Sequence, residues 1–231
     1  MRAGIGARES KLNYFAHALP LLRDPDRTEY ALAGIAVPDW LGVAAKRTKC
    51  RTRHAEPYLQ HADTRLSEFA WGVARHHADD QWFHESAAFA QLSLDFARRL
   101  REAFADADGM RPWFLGHILV ELLLDASLIA REPSLLDEYY EQVATVDAAF
   151  VEQTVEQMTG RPAGDLAWFI GKYVEIRFLA DYADDHRLLH RLNQVMKRVT
   201  LPEIPLEFLE LLPGMRDAVD AATDALTLRP A

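Results

Sequence analysis

Apolar residues recur three and four positions apart along nearly the whole chain, and no stretch alternates apolar and polar residues between hairpin turns. This spacing is typical of amphipathic helices, whereas sustained alternation would indicate strands. Breaks containing glycine or proline, such as Asp108-Gly109, separate the helical stretches. The pattern predicts an all-α protein with helices over Glu9–Arg23, Glu29–Val37, Asp39–Ala45, Asp63–Asp80, Phe83–Asp106, Pro112–Arg131, Ser134–Met158, Asp165–Ala180, Asp184–Val199, Leu206–Leu212 and Met215–Leu226.

The helical stretches follow one another through short linkers, and the sequence contains no internal repeat of fixed period. A chain of 231 residues, 49% of them hydrophobic, can bury a core within one domain. We therefore expect residues 1–231 to form a single-domain helical bundle. Its polar motifs lie in residues 13–130, whereas residues 134–231 carry aromatic and aliphatic side chains suited to a core, a wall of the site or a homodimer face.

The net charge and the single cysteine limit which partners, disulfides and cellular compartments we expect for this protein. The formal net charge of −9 argues against non-specific binding to nucleic acid or to an anionic membrane surface. Because Cys50 is the single cysteine, no intramolecular disulfide can form. The N-terminal residues lack the charged and then apolar layout of a signal peptide. We therefore expect a cytoplasmic protein without a nucleic-acid partner.

The most apolar stretch, Phe114 to Ala130, carries three ionisable residues: His117, Glu121 and Asp125. The stretch is marginally long enough to cross a bilayer, but an acid at its centre is costly in lipid. We therefore predict a buried helix of a soluble protein and no membrane span. A carboxylate within such a helix must be paired or bound to a cation, because burying it alone carries a large desolvation cost.

Residues four positions apart on a helix are offset by only about 40°, so these three groups form one polar stripe. A second stripe of the same spacing, His76, Asp80 and His84, lies upstream. Two facing stripes would bring six imidazole and carboxylate groups to one point, and such a ligand set suits Zn, Fe or Mn. The alternative for the carboxylates is a buried ion pair with an arginine such as Arg75 or Arg177.

Three further features could belong to the same site. His17 lies on an otherwise apolar helix, and Asp39 lies between apolar neighbours, where an aspartate alone is typical of a helix N-cap. The segment Lys46 to His54, KRTKCRTRH, contains five Lys or Arg residues and no acid. This basic segment is either a solvated loop or a clamp for phosphate or an acidic partner.

These features occur in a fixed order along the chain. The first is Asn13-Tyr14-Phe15-Ala16-His17, and the second is Asp39 in AVPDWLG. The third is the segment Gly72 to Asp80, GVARHHADD, with His84 four residues later. The fourth is the stripe of the apolar helix, in which an acid at position 121 is followed by another at 125.

The four motifs together resemble the acyl carrier protein phosphodiesterase family, a relative of the HD-domain metal-dependent phosphohydrolases. The corresponding family patterns are N-[FY]-[LF]-A-H, an aspartate in an apolar context, G-[IV]-x-x-H-R-x-x-D with a later acid, and a helical acid pair followed by His. In this chain His77 replaces the arginine, His84 replaces the later acid, and the histidine after the acid pair is absent. The resemblance covers roughly Asn13 to Ala130 and implies a helical bundle of the HD-domain-like type with additional C-terminal helices.

The motifs and the resemblance lead us to expect a metal-dependent hydrolase of a phosphoester, either a phosphodiesterase or a phosphatase. One or two divalent ions, Mn, Fe or Zn, would activate a water nucleophile. The substrate would be a phosphorylated small molecule or a phosphopantetheine-type compound. The expected metal ligands are His17, Asp39, His76, Asp80, His117 and Glu121; the expected catalytic groups are Asp80, His84 and Asp125; the expected substrate-binding residues are Arg75, His77, Lys46 and Arg47.

The alternative is a non-catalytic helical binding protein. In that case the histidines and carboxylates of the two stripes would form a buried polar network that fixes the register of the helices.

Overall fold

The computed structural model describes residues 13–105 and 109–227, and within these ranges it contains helices and no strand. The predicted all-α class is confirmed, with 79% of the described residues helical. The α-helices are α1 (Tyr14–Leu22), α2 (Glu29–Ala44), α3 (Thr52–Ala55), α4 (Thr64–Glu85), α5 (Ala87–Ala103), α6 (Pro112–Arg131), α7 (Pro133–Thr145), α8 (Ala148–Thr159), α9 (Leu166–Ile176), α10 (Asp185–Arg198) and α11 (Leu212–Thr227). Short 3-10 helices cover Glu56–Tyr58, Phe178–Ala183 and Leu206–Glu210.

Helix α6 lies at the centre of the bundle. It packs against α5, α11, α1 and the 3-10 helix Phe178–Ala183, and fourteen of its residues are buried. By length and composition α6 is also the helix of the described chain that could cross a membrane, although 78% of its most apolar window is buried inside the protein. Core helices have this property, so the apolarity of α6 is explained by packing on all its sides.

Helices α2 and α4 pack very closely, and two glycines permit this contact. A Cβ atom on Gly34 of α2 would lie 2.1 Å from the carbonyl oxygen of Phe69. A Cβ on Gly72 of α4 would lie 2.3 Å from the carbonyl oxygen of Ala31. Both distances are far below van der Waals contact, so the two backbones can approach in this way only where no side chain intervenes.

Helix α2 continues through Pro38, where the sequence pattern predicted one helix to end and another to begin. Proline removes one hydrogen bond of the helix ladder and crowds the residue four positions earlier, which here is Gly34. Because the packing against α4 buries this part of α2, tertiary contacts keep the segment helical. Asp39 therefore lies inside a helix, and its interpretation as a helix N-cap is wrong.

Other predicted helix boundaries also moved. The predicted helix Ser134–Met158 is two helices, because the Asp147 side chain accepts a hydrogen bond from Phe150 N at 3.1 Å and starts α8 anew. Helix α9 ends at Ile176, because the next residue, Arg177, adopts a left-handed backbone conformation with φ of 50°. The predicted helix Leu206–Leu212 is a 3-10 helix followed at once by α11.

Two predicted boundaries fall beyond the observed ends of their helices, because α1 begins at Tyr14 and α5 ends at Ala103. The start of the first helix at Glu9 and the end of the fifth at Asp106 lie outside the described residues.

Because of the contact between α2 and α4, substitution of two glycines of α2 by alanine should have very different effects on the free energy of unfolding. Gly34→Ala should lower the free energy of unfolding by about 3 kcal/mol, because the new methyl group overlaps the Phe69 carbonyl. Gly42→Ala should leave the free energy unchanged or raise it by up to about 1 kcal/mol, since a Cβ there meets no atom within 4 Å. Urea denaturation of both variants measures the difference, and equal stabilities would contradict the close packing.

Candidate metal centre

The first group of possible metal ligands contains His17 of α1 with His76 and Asp80 of α4. His17 Nε2 lies 3.4 Å from Asp80 Oδ1, and His76 Nε2 lies 3.2 Å from Asp80 Oδ2. The two imidazole centroids are 4.6 Å apart. All three side chains are buried, and their ligand atoms lie within 4.8 Å of one another. We call these three residues the His17 group.

The second group contains His84 of α4 with His117 and Glu121 of α6, and we call it the His84 group. Oε1 of Glu121 lies 3.0 Å from His84 Nε2 and 3.3 Å from His117 Nε2. The two rings stack at 4.8 Å, and Phe89 packs edge-on against both. Glu121 is fully buried, whereas the histidines keep 19% and 14% of their side-chain surface exposed.

Either group could hold one metal ion. Two imidazole nitrogens and one carboxylate oxygen are a ligand set that Zn, Mn and Fe accept, and three protein ligands leave positions for water or substrate. Metal bonds of about 2.0–2.2 Å place donors on opposite sides of an ion roughly 4 Å apart, close to the spread of each group. In addition, Oε2 of Glu121 is buried and accepts no hydrogen bond within the described structure.

Five of the six expected metal ligands, together with His84, therefore form two groups of three instead of one shared centre. The reason lies in the geometry of α4, on which His76 and His84 are two turns apart, roughly 12 Å along the helix axis. The upstream end of the stripe meets α1, and the downstream end meets α6. Ions held by the two groups would be separate from each other, unlike the pairs of two-metal hydrolases, which lie about 3.5–4 Å apart.

Asp39 and Asp125, although predicted for the site, belong to neither group. Both oxygens of Asp125 accept backbone hydrogen bonds from the start of α1, at 3.0 Å from Phe15 N and at 2.8 Å from Ala16 N. Asp125 thus satisfies the first amides of α1 and holds that helix against α6. Asp39 is buried on α2, and its charge acts on Tyr14 and on Asp125.

Neither arginine proposed as a buried ion-pair partner performs that role. Arg75 Nε donates to Asp79 at 2.8 Å, and Arg177 pairs with Asp137 at the surface. Glu121 instead faces two histidines. Although burial alone raises the pKa of Glu121, hydrogen bonds from His117 and His84 hold it below its usual range, so this carboxylate is ionised.

Asp79 lies off the stripe of His76 and Asp80, and it is the carboxylate that contacts the outer side of His17. Its Oδ2 lies 4.0 Å from His17 Nδ1, and the carboxylate also pairs with Arg75. Burial raises the pKa of Asp79, but hydrogen bonds from His17 and Arg75 outweigh burial and lower it. The spacing of Arg75 and Asp79, four residues apart, was the one signal in the sequence that could have indicated a pair beside the stripe.

A cavity of ≈ 360 Å³ open to solvent reaches His17, although His76 and Asp80 are not among its lining residues. His17, Asn13 and Asp79 line it together with Phe83 and Trp82. Asn13 is buried, and its Oδ1 accepts no hydrogen bond from any described residue. The volume is within the range of about 300–1,000 Å³ that is common for small-molecule sites.

The predicted substrate-binding residues do not lie together. Arg75 lines the cavity at His17, whereas Lys46 lines a different cavity and Arg47 is exposed. Nε2 of His77 lies 2.8 Å from the carbonyl oxygen of Cys50 in the basic segment. Since adjacent helix positions differ by about 100°, His77 cannot share the direction of His76.

Asp125 should make the stability of the protein depend on pH. Burial raises the pKa of Asp125 to about 8, even though the amides of Phe15 and Ala16 favour the charged form. Between about pH 4, the ordinary pKa, and pH 8 the folded protein keeps a proton that the unfolded chain releases, so stability falls as pH rises.

Within this window Asp125 contributes a slope of about 1.4 kcal/mol per pH unit to the free energy of unfolding. Asp125→Asn should remove that slope, whereas Asp220→Asn, at an exposed position of α11, should keep it. Denaturation curves between about pH 5 and pH 7.5 measure the slopes. A constant difference between wild type and Asp125→Asn across this range would contradict the raised pKa.

Metal binding should stabilise the folded protein. With free Mn²⁺ or Zn²⁺ at about 100 times its Kd, the free energy of unfolding should rise by about 2.7 kcal/mol, and a chelator should reverse the rise. Asp80→Asn should abolish binding at the His17 group, and His84→Ala should abolish it at the His84 group.

Bound metal in the purified proteins and thermal melting measure these effects, with His190→Ala, at an exposed position of α10, as the matched control. Negligible metal in the wild type under metal-replete conditions, equal to that in both variants, would show that neither group is a metal site.

Comparisons with known proteins give no relative for this arrangement. No protein-family model, no curated protein and no solved structure matches the chain.

Proposed function

We propose that this protein is a metal-dependent hydrolase of phosphoesters and that its bundle is of the HD-domain-like type. One observation supports the proposal above the others: His17, which forms a possible metal site with His76 and Asp80, lines a cavity that three arginines also line. The resemblance of Asn13–Ala130 to the acyl carrier protein phosphodiesterase family supports the same class of reaction.

His17, His76 and Asp80 would hold the ion of the reaction. When bound there, a divalent ion lowers the pKa of water and offsets negative charge on a phosphoryl group. Asp80 contributes charge to the ligand set, and the two imidazoles contribute neutral nitrogen donors. Asp79, on the outer side of His17, orients that imidazole in the way in which outer carboxylates commonly orient histidine ligands.

The cavity supplies binding groups for an anionic substrate. Each of its three arginines has a carboxylate partner: Arg75 pairs with Asp79, Arg131 with Asp224, and Arg23 with Glu132. A phosphate can replace a carboxylate in such a pair, because guanidinium binds both anions through two parallel hydrogen bonds. Arg75 is connected to His17 through Asp79, which contacts both, so we assign Arg75 to the scissile phosphate.

The substrate is then a phosphorylated small molecule or a phosphopantetheine-type compound whose apolar part contacts Phe83 and Trp82 in the cavity. His84 and Asp125, which the sequence suggested as acid and base groups, receive supporting roles in this proposal. His84 belongs to the second ligand group, and Asp125 positions α1 and hence His17.

The His84 group also fits the non-catalytic alternative. In this group both histidines already contact the Glu121 carboxylate, at 3.0 and 3.3 Å, so the group is a compensated polar network without a metal. If both groups had this structural role alone, a chelator would leave the melting temperature unchanged.

Hydrolysis of bis(p-nitrophenyl) phosphate and p-nitrophenyl phosphate, with Mn²⁺, Fe²⁺, Zn²⁺ and Mg²⁺ in turn, tests the reaction. Asp80→Asn and His17→Ala should lower kcat/KM by more than about 100-fold, because each removes a metal ligand of the proposed site and not an outer group. Arg75→Gln should raise KM about tenfold, because it removes a charged hydrogen-bond donor to phosphate.

Arg98→Gln is the matched control for Arg75→Gln. Arg98 also pairs with a carboxylate four residues later, Glu102, but it lies on the exposed face of α5. Its substitution should leave kcat and KM unchanged. Activity that survives unchanged in Asp80→Asn, or an Arg98→Gln variant that is impaired as much as Arg75→Gln, would overturn the assignment.

A further inference from the structure

A second cavity, of ≈ 570 Å³, lies at the junction of α2, α6, α9, α10 and the 3-10 helix Phe178–Ala183. Its walls are largely apolar and aromatic, with Phe169, Phe178, Tyr182 and Val195 among the lining residues. Ile176 also lines the cavity and is 54% exposed to solvent. The cavity therefore has an apolar interior open to solvent, the usual form of a small-molecule site.

Positive charge surrounds this apolar interior. Four cationic side chains line the cavity, and none of the described lining residues is a carboxylate. Arg191 donates to Asp181 at 2.8 and 2.6 Å, so its charge is compensated. Lys46, Lys197 and Arg198 are exposed and form no ion pair with any described residue. Three uncompensated cations around one opening are unexpected in a chain with a net charge of −9.

The two properties together select an anionic amphiphile. Binding of an apolar tail is favourable because the tail displaces water from the aromatic walls. The cations at the opening attract an acidic head group. A neutral hydrocarbon would make no ionic contact with the cations. A small inorganic anion would make no apolar contact with the walls. We infer that this cavity binds a fatty-acid-like molecule, with its acyl chain among Phe169, Phe178 and Val195 and its carboxylate or phosphate head at Lys197, Arg198 and Lys46.

This inference does not depend on the proposed hydrolase. The cavity contains no residue of the His17 group and none of the His84 group. The cavity and the two ligand groups nevertheless share helices α1 and α6, because Tyr14 of α1 and Leu122 of α6 line the cavity. Binding of the amphiphile and binding of a metal can therefore be measured separately on the same protein.

Isothermal titration calorimetry of the purified full chain tests the site. The probes are decanoate and decyl phosphate, below the concentrations at which they form micelles, with 1-decanol as the uncharged probe and inorganic phosphate as the probe without a tail. We expect both amphiphilic anions to bind with one molecule per chain. We expect 1-decanol and inorganic phosphate to bind at least about tenfold more weakly, because each lacks one of the two interactions. The ratio of the two anionic affinities identifies the preferred head group.

Variants at the opening separate this site from unspecific binding. Arg198→Gln should weaken the binding of decanoate and decyl phosphate about tenfold, and Ile176→Glu should weaken it further by placing a negative charge at the cavity. Arg101→Gln, which removes an exposed arginine from α5, is the matched control and should bind as the wild type does. All of these positions are exposed, so the variants should fold.

His76→Ala should also bind both anions with unchanged affinity, which would keep this result distinct from any loss of hydrolase activity. The inference is overturned if neither anion binds, if inorganic phosphate binds as tightly as decyl phosphate, or if Arg198→Gln and Ile176→Glu bind as tightly as the wild type. Binding of an acidic peptide in place of both amphiphiles would likewise overturn it, because the site would then belong to a protein partner.

Discussion

The burial of carboxylates within one helical core, above all Asp80, Glu121 and Asp125, is the constraint on which the rest of this structure depends. Asp80 is 2% exposed, and Glu121 and Asp125 are not exposed at all. Each buried charge must be compensated, since an isolated one would destabilise the fold by several kcal/mol or take up a proton. The chain meets this requirement in two ways: histidines surround Asp80 and Glu121, whereas Asp125, with a pKa raised to about 8, keeps a proton at neutral pH and accepts hydrogen bonds from the amides of α1.

The hydrogen bonds between Asp125 and the amides of α1 also determine where the His17 group can lie. Helix α1 is short, and its first amides bond to the carboxylate on α6, so the direction of α1 is fixed relative to the core. His17 follows these amides by one residue and is thereby aimed at α4. The same helix forms part of both cavities, because Tyr14 lines one and His17 lines the other.

The two cavities differ in how their charges are arranged. At the His17 group each arginine already has a carboxylate, so an anionic substrate would enter by exchange of partners. At the second cavity Lys197 and Arg198 have no such partner among the described residues, and the walls are apolar. The first arrangement suits a site in which a phosphate is bound and then released, and the second suits the retention of an amphiphile.

The sequence by itself determined the all-α class, the burial of the helix at residues 112–131 and the two polar stripes, because these follow from local periodicity. A spacing of four residues places side chains on one face of a helix whatever surrounds it. Only the tertiary structure decided which ends of the stripes meet, that Asp125 bonds to the amides of α1, and that Asp79 contacts His17. Tertiary packing also keeps α2 helical through Pro38, although proline is a local signal for the end of a helix. These outcomes depend on contacts between residues far apart in the chain, such as Phe15 with Asp125, and local periodicity contains no information about such contacts.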